Sequence, residues 1–365
     1  MIDISRKTLR DIDWLLLIVP IALTILGCIG IHSTAPSDDF VRKQLMALGM
    51  GLAIALFLMF TDYRKVINDY APIIYGVVMF LLVLVLFIGK TINGNKAWLH
   101  IPGLPSIQPS ELAKVATILM LSRYLSKSRG AGTLTLKDMA LMAAIAMPPI
   151  ILIALGKDTG TMLTFGVILG TFYFLGGAPK KLVIAAVLAI PLALIAVYPH
   201  LRGYQRERID IIFHPENADP RGYAYQTIQS AIAVGSGGTT GKGIGNGTQG
   251  TLGFLPYAYS DFIGAVIAEE LGFIGILVML ALYLIFIWRL MDVALNARER
   301  SGTLMIMGFV ALMTFHILSN LGMVVGIMPI MGIPLPLMSA GGTAIMSVFA
   351  GVGLALSVRF RRFVN

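Results

Sequence analysis

Chemistry in this chain would begin where a carboxylate stands at the edge of an apolar run. Asp261 follows Leu255-Pro256-Tyr257-Ala258-Tyr259-Ser260 and leads into Phe262-Ile263. Partial desolvation and reach into a pocket are what a general base needs. Capping of the helix that starts there is the competing use of the same residue. Glu111 and Lys114, three residues apart, share a helix face. Ionisable side chains inside apolar spans mark function by default, and the bland alternative is a pair that neutralises itself. Asp158, within Gly156-Lys157-Asp158-Thr159-Gly160-Thr161, reads both as a helix N-cap and as a site residue. Glu269 and Glu270 lie two turns beyond Asp261. One of them is expected to face a polar interior and pair with a basic residue, with no chemistry assigned.

Further polar groups gather at comparable places. They are Arg42-Lys43-Gln44, Asn93-Gly94-Asn95-Lys96-Ala97-Trp98, Gln108-Pro109-Ser110-Glu111, Pro334-Leu335-Pro336 and Ser339-Ala340-Gly341-Gly342-Thr343. Each precedes an apolar run, where a helix N-terminus offers free N–H groups and partial positive charge to an anion such as a phosphate.

Other chemistries fail on spacing. In the glycine-rich stretch 235–250, Ser236 stands where a P-loop needs its first Gly and Gly243 where it needs Ser or Thr. A G-x-G-x-x-G match at 245–250 follows no strand and opens no helix. The stretch reads instead as a loop that packs tightly or moves over a substrate. His32, His100, His200, His214 and His316 are scattered and read as loop or packing residues. No His/Asp/Glu cluster has metal-ligand spacing, so no metal ligand is assigned, and the lone Cys28 excludes a disulfide scaffold.

The elements that must position these residues follow from composition. Of 365 residues 57% are apolar and 13% charged, and mean hydropathy is +0.83. A soluble domain carries about 25% charged residues, so an ordinary water-soluble enzyme is excluded. A span needs roughly 20 apolar residues to cross about 30 Å of hydrocarbon. About ten candidates appear, near 14–32, 44–60, 71–89, 109–126, 139–155, 161–177, 181–198, 261–288, 302–325 and 340–358. The chain is therefore expected to be an all-α polytopic membrane protein, one integral domain over 1–365, with a long loop at about 199–260 between helices 7 and 8. The first span follows Arg6, Lys7 and Arg10, but its apolar run is long for a signal peptide and further spans follow, so it reads as an uncleaved helix.

Placing both termini in the cytoplasm puts 17 Lys and Arg in short cytoplasmic segments and 5 in short external ones. That bias sets the orientation and puts the 199–260 loop, and the polar clusters that precede the even-numbered spans, on the extracytoplasmic side. The net charge of +9 then speaks of loop orientation rather than of nucleic acid, which is not an expected partner. Helices 2, 4, 6, 8 and 10 all begin at this outer end.

Trp98, Gln108-Pro109-Ser110-Glu111-Leu112-Ala113-Lys114, Ser260-Asp261-Phe262-Ile263, Glu269-Glu270-Leu271-Gly272 and Pro336…Ser339…Gly341-Gly342 resemble the SEDS proteins (shape, elongation, division and sporulation). The resemblance covers nearly the whole chain. Within the family, Arg208-Ile209…Phe213…Pro215-Glu216…Asp219-Pro220 and Gly247-Thr248-Gln249…Leu255-Pro256 are similar to the elongation branch, RodA-type, rather than the FtsW-type division branch.

The resemblance implies a peptidoglycan glycosyltransferase in the bacterial plasma membrane. It would polymerise lipid II at the outer face during elongation and rod-shape maintenance. Asp261 matches the family's essential aspartate, the expected base for the acceptor hydroxyl in one inverting displacement that releases undecaprenyl diphosphate. Glu111 and Lys114 match family cavity residues, and Asp158, which falls in another motif block, is expected to bind substrate or line the cavity as well. Trp98, Lys96, Gln108, Ser110, Arg42 and Ser339 are expected to bind substrate or line that cavity. Lys114, basic loop residues and helix N-termini would stabilise the departing charge. No cofactor is assigned; a divalent cation, magnesium or manganese, is compatible with the same role. The implied partners are a class B penicillin-binding protein, other elongation-complex membrane proteins and the membrane lipids. Two readings compete: a lipid II flippase, which needs functional groups on both leaflets, and a non-catalytic scaffold that activates the transpeptidase.

Overall fold

The computed structural model of the chain describes residues 12–92, 95–100, 105–128, 133–185, 188, 198–200, 206, 210 and 224–362. Apolar runs become helices throughout. In order they are α1 Leu15–Thr34, α2 Asp39–Phe60 and α3 Tyr63–Ile88, the last with a π-helical turn at Val66–Tyr70. A two-stranded hairpin, β1 Lys90–Ile92 and β2 Asn95–Trp98, leads through a Leu99–Ile107 bridge to α4 Pro109–Lys127. Then follow α5 Leu136–Leu155, α6 Thr159–Leu175, α7 Ala224–Ser236, α8 Thr248–Thr251, α9 Ile263–Leu295, α10 Arg300–Val324 and α11 Gly342–Phe360.

Nine of the ten expected spans coincide with helices among the described residues, and the tenth, 181–198, lies mostly outside them. Among the described residues seven helices are long and apolar enough to cross a membrane. Two expected spans fall short for visible reasons. Helix α4 carries Glu111, Lys114, Arg123 and Lys127 within its 19 residues, and α6 has only 17. The expected 199–260 loop is not all loop, because it contains α7 and α8. At 13 residues, α7 is too short for a span and so carries no hydropathy signal. It packs on α9, and Ser230 Oγ donates to the Val324 carbonyl at 2.7 Å.

Helices α2 and α11 lie against each other, α9 packs between α1 and α10, and α10 meets α4 and α6. Without a hydrophobic force between helices in lipid, close approach of backbones supplies the packing. At Gly353 of α11 an added Cβ would sit 2.6 Å from the Ala55 carbonyl oxygen of α2. At the end of the bundle remote from the hairpin, Arg359 bridges Asp13 and Asp292 at 3.1 and 3.0 Å, and Arg289 also pairs with Asp13. These pairs tie Asp13, two residues before α1, to the ends of α9 and α11.

The longest helix, α9, is broken. Gly272 has φ 67° and ψ −163°, and the glycine-rich stretch packs into the break. Lys242 and Gly243 donate their N–H groups to the carbonyls of Glu269 and Glu270, each at 3.0 Å. Phe273 and Ile274 donate theirs to Gly238 and Thr239 at 2.9 and 3.1 Å. Glu269 accepts Lys242 Nζ at 2.6 Å, the Thr248 N–H at 2.8 Å and the Gln249 N–H at 3.1 Å. The stretch is thus a backbone filler for a helix interruption, and Glu269 is the acidic residue that finds the basic partner. A side chain at position 272 would meet both the left-handed φ penalty and the backbone of 239–241. Gly272→Ala is expected to cost about 1–3 kcal/mol from the dihedral alone, read as lower thermal stability of the detergent-solubilised protein. An unchanged melting temperature would show that the break is not a fixed feature.

Candidate active site

Asp261 sits in a turn whose conformation is held from three sides. The N–H groups of Ser260, Asp261 and Phe262 converge on the Tyr257 carbonyl at 3.0, 3.1 and 3.3 Å. Three successive carbonyls then point at the loop and helix opposite. Tyr259 O accepts the Ala340 N–H at 3.0 Å, Ser260 O accepts Ser339 Oγ at 2.6 Å, and Asp261 O accepts Asn320 Nδ2 at 2.8 Å. Phe262 behind it is fully buried, whereas Asp261 itself is only half-buried. Gly332, with φ 66°, passes so close that an added Cβ would stand 3.8 Å from Asp261 Oδ2. Burial pushes the Tyr259 phenol above its ordinary pKa, and the neighbouring Tyr257 and the Asp261 carboxylate add to the rise. Its ring packs on Phe40 with centroids 4.8 Å apart.

Glu111 and Lys114 form an ion pair, Nζ to Oε1 2.8 Å, at 3% and 2% exposure. A third residue joins them. His316 of α10 places Nε2 3.3 Å from Lys114 Nζ and Nδ1 3.3 Å from the Pro334 carbonyl. One helical turn on, Asn320 donates to both Ile333 O, at 2.9 Å, and Asp261 O. His316 and Asn320 are therefore one polar face of α10 that connects the buried ion pair to the Asp261 turn. His316 reads from the sequence as a loop or packing residue, and the structure places it, buried, between Lys114 and the Pro334 carbonyl. The available signal was the i, i+4 spacing of two polar residues inside an apolar span.

Asp158 is the N-cap of α6 and also meets Gln108. Oδ1 caps α6 by accepting the Thr161 N–H at 3.1 Å, while Oδ2 accepts Gln108 Nε2 at 3.3 Å. The Gln108 N–H donates to Thr343 Oγ1, and that hydroxyl donates to Ser106 O, both at 3.0 Å. Lys96, Ser110 and Asp158 line one narrow cavity with Leu82 and Val85, and the buried Ser110 hydroxyl has no hydrogen-bond partner there. Lys96 Nζ donates to Phe87 O at 3.0 Å.

Ser339 is a tie between segments. Its hydroxyl accepts the Leu335 N–H at 2.8 Å and donates to Ser260 O, and its carbonyl accepts Gln44 Nε2 at 2.9 Å. Gln44 also accepts the Gly341 N–H at 3.2 Å. Arg42, two residues earlier, is exposed, and Trp98 lies on β2 opposite Lys90. Among the described residues no hydrogen bond or ion pair joins either of them to the carboxylates.

The arrangement gathers the starts of α4, α6, α9 and α11 at the hairpin end of the bundle. Strain gathers there too. Lys157, Tyr257 and Leu337 are the non-glycine residues with positive φ among the described residues. They precede Asp158, Asp261 and Ser339 within the same turns, and such strain persists where surrounding structure holds a site in one geometry. Among the described residues no group of three or more His, Cys, Asp or Glu side chains assembles a metal site.

Known proteins resemble this chain over its whole length. The family model for FtsW, RodA and SpoVE, described as cell cycle proteins, matches residues 13–362. Peptidoglycan glycosyltransferase MrdB of Escherichia coli K12 is 36% identical over 364 residues, covering 98% of this chain and 97% of that one. A chain from a solved peptidoglycan synthase complex, in which polymerization and crosslinking are coordinated, superposes with a TM-score of 0.83 at 34% identity, covering 97% and 99%. The crystal structure of the rod shape determining protein RodA of Thermus thermophilus superposes with a TM-score of 0.71 at 29% identity, covering 97% and 98%.

Proposed function

This chain belongs to the FtsW/RodA/SpoVE family of cell cycle proteins, and we propose that it polymerises lipid II into glycan strands with Asp261 as the base. The peptidoglycan glycosyltransferase activity follows the MrdB relative, and the likeness to a rod shape determining protein supports the elongation role. The observation that carries the choice of base is the hold on Tyr259, Ser260 and Asp261. Their three carbonyls are tied to Ala340, Ser339 and Asn320, so the backbone is fixed while the carboxylate remains half-exposed. A rigidly supported group of this kind is what proton abstraction at a set distance requires.

In the proposed step the Asp261 carboxylate takes the proton of the acceptor 4-hydroxyl as that oxygen bonds to the donor's anomeric carbon. The bond from this carbon to the diphosphate oxygen breaks, the electron pair leaves with undecaprenyl diphosphate, and the anomeric configuration inverts. Helix N-termini and the Lys114 ammonium supply the positive field for the departing charge. With Lys114 closed in by Glu111 and His316, its contribution in this conformation is a fixed charge rather than a contact. A magnesium or manganese ion would neutralise the same diphosphate, but among the described residues no three His, Cys, Asp or Glu side chains gather into a dedicated ligand set.

The bias of 17 basic residues against 5 supports an inner-membrane orientation with both termini cytoplasmic and the hairpin end outside. There the chain would meet lipid II and a class B penicillin-binding protein. The partner assignment is supported by the likeness to a synthase complex that couples polymerization to crosslinking. The test is polymerisation of purified lipid II by the chain with its co-purified partner, the partner blocked at its transpeptidase serine, with strands resolved on gels. Long strands are expected. A folded complex that makes none points to the flippase or the scaffold instead.

A further inference from the structure

The side chain that meets both Lys114 and the loop beside Asp261 is His316, and the two contacts determine where its proton lies. An ammonium can only donate. His316 Nε2, 3.3 Å from Lys114 Nζ, must therefore present its lone pair. The ring proton then lies on Nδ1, which faces the Pro334 carbonyl at 3.3 Å. A doubly protonated ring would lose the acceptor and set two cations against each other in a buried place. The histidine is thus neutral, with its orientation fixed at both nitrogens.

The consequence for the site follows from the chain beyond it. His316 and Asn320 hold two consecutive carbonyls, Pro334 and Ile333, and Asn320 also holds the carbonyl of Asp261. Gly332, the next residue back, borders the Asp261 carboxylate. On the other side, Lys114 reaches Glu111 three residues before it on its own helix. A long flexible stem with one such contact can swing, and His316 supplies a second contact from the facing helix.

We infer that His316 is a positioning residue: it holds the Lys114 ammonium at a set place relative to the Gly332–Pro334 segment and, through Asn320, to the Asp261 turn. The effect on turnover rests on the glycosyltransferase reading above; the proton arrangement does not. Misplacement of a reacting group by about 1 Å can lower a rate by roughly a hundredfold. His316→Leu is therefore expected to lower kcat about ten- to a hundredfold with KM within about threefold, the pattern of an interaction that acts on the transition state. The carboxamide oxygen of His316→Gln reaches the place of Nε2 and should restore most of kcat. His316→Asn reaches only the place of Nδ1 and should not. Full kcat in His316→Leu, or better rescue by Asn than by Gln, overturns the inference.

The second measurement needs no substrate. The full chain is labelled with 15N-histidine in detergent micelles, and the His316 signal among five histidines is identified by its loss in His316→Gln. A neutral Nδ1–H pattern is expected, and an Nε2–H or doubly protonated pattern overturns the arrangement. A chain with the expected pattern that makes no glycan would count against the glycosyltransferase reading and leave the proton arrangement standing.

Discussion

Asp261→Asn is expected to lower lipid II polymerisation by about 10²–10⁴-fold, the range associated with loss of a general base, while the protein folds and inserts normally. The carboxamide has the size of the carboxylate but cannot take the acceptor proton. The supports of the turn are untouched by the change, because Ala340, Ser339 and Asn320 all bind backbone carbonyls rather than the Asp261 side chain. Stability and activity should therefore separate at this position. Gel-resolved strands from wild type and mutant, each with a partner blocked in transpeptidation, provide the readout alongside a thermal melt. Near-normal strand yield from Asp261→Asn removes this residue as the base while keeping the enzyme. Loss of both yield and folding would show that the side chain serves the turn itself.

The same turn shows why some of the site was legible in the sequence. A carboxylate before an apolar run, a Pro-containing approach and a helix start are local patterns. Asp158 as a cap and Glu111 with Lys114 on one face are local too. What joins them is not. Ser339 meets Ser260, and Gln44 meets Ser339, across separations that no spacing rule reaches. Charge drew attention to Arg42, whereas the structure uses Gln44, because Gln44 lies with Ala47, Gly51 and Ala55 on the buried face of α2 and Arg42 does not. His316 and Asn320 were hidden differently. Their partners are distant in sequence: Lys114 of α4, the Asp261 turn and the loop folded back over α10.

The fold divides along the same line. Long apolar runs translate directly into helices, since a span must satisfy its backbone internally. Helix α7, short and within a stretch read as loop, did not announce itself. Nor did the break in α9, where Gly272 is stabilised by residues 238–243 rather than by its own neighbours.

The remaining question is whether Glu111 and Lys114 serve the chemistry or only the fold, and their burial makes the answer measurable. Each is at most 3% exposed, so removing one partner leaves a charge with no solvent to receive it. Glu111→Gln and Lys114→Met are each expected to destabilise by about 3–5 kcal/mol, the usual cost of breaking a buried pair. The double variant removes both charges and should recover much of that loss, because the cost of each single change comes from the uncompensated buried charge it leaves. Polymerisation should not recover with it. If the ammonium supplies field to the departing diphosphate, Lys114→Met loses that field whether or not Glu111 is present, and the double variant stays slow while melting normally. If strand yield returns together with stability, the pair is a structural neutralisation and the positive field must come from the helix N-termini. A melt and a polymerisation assay on the same three variants separate these cases, since fold and chemistry predict the same single variants and opposite doubles.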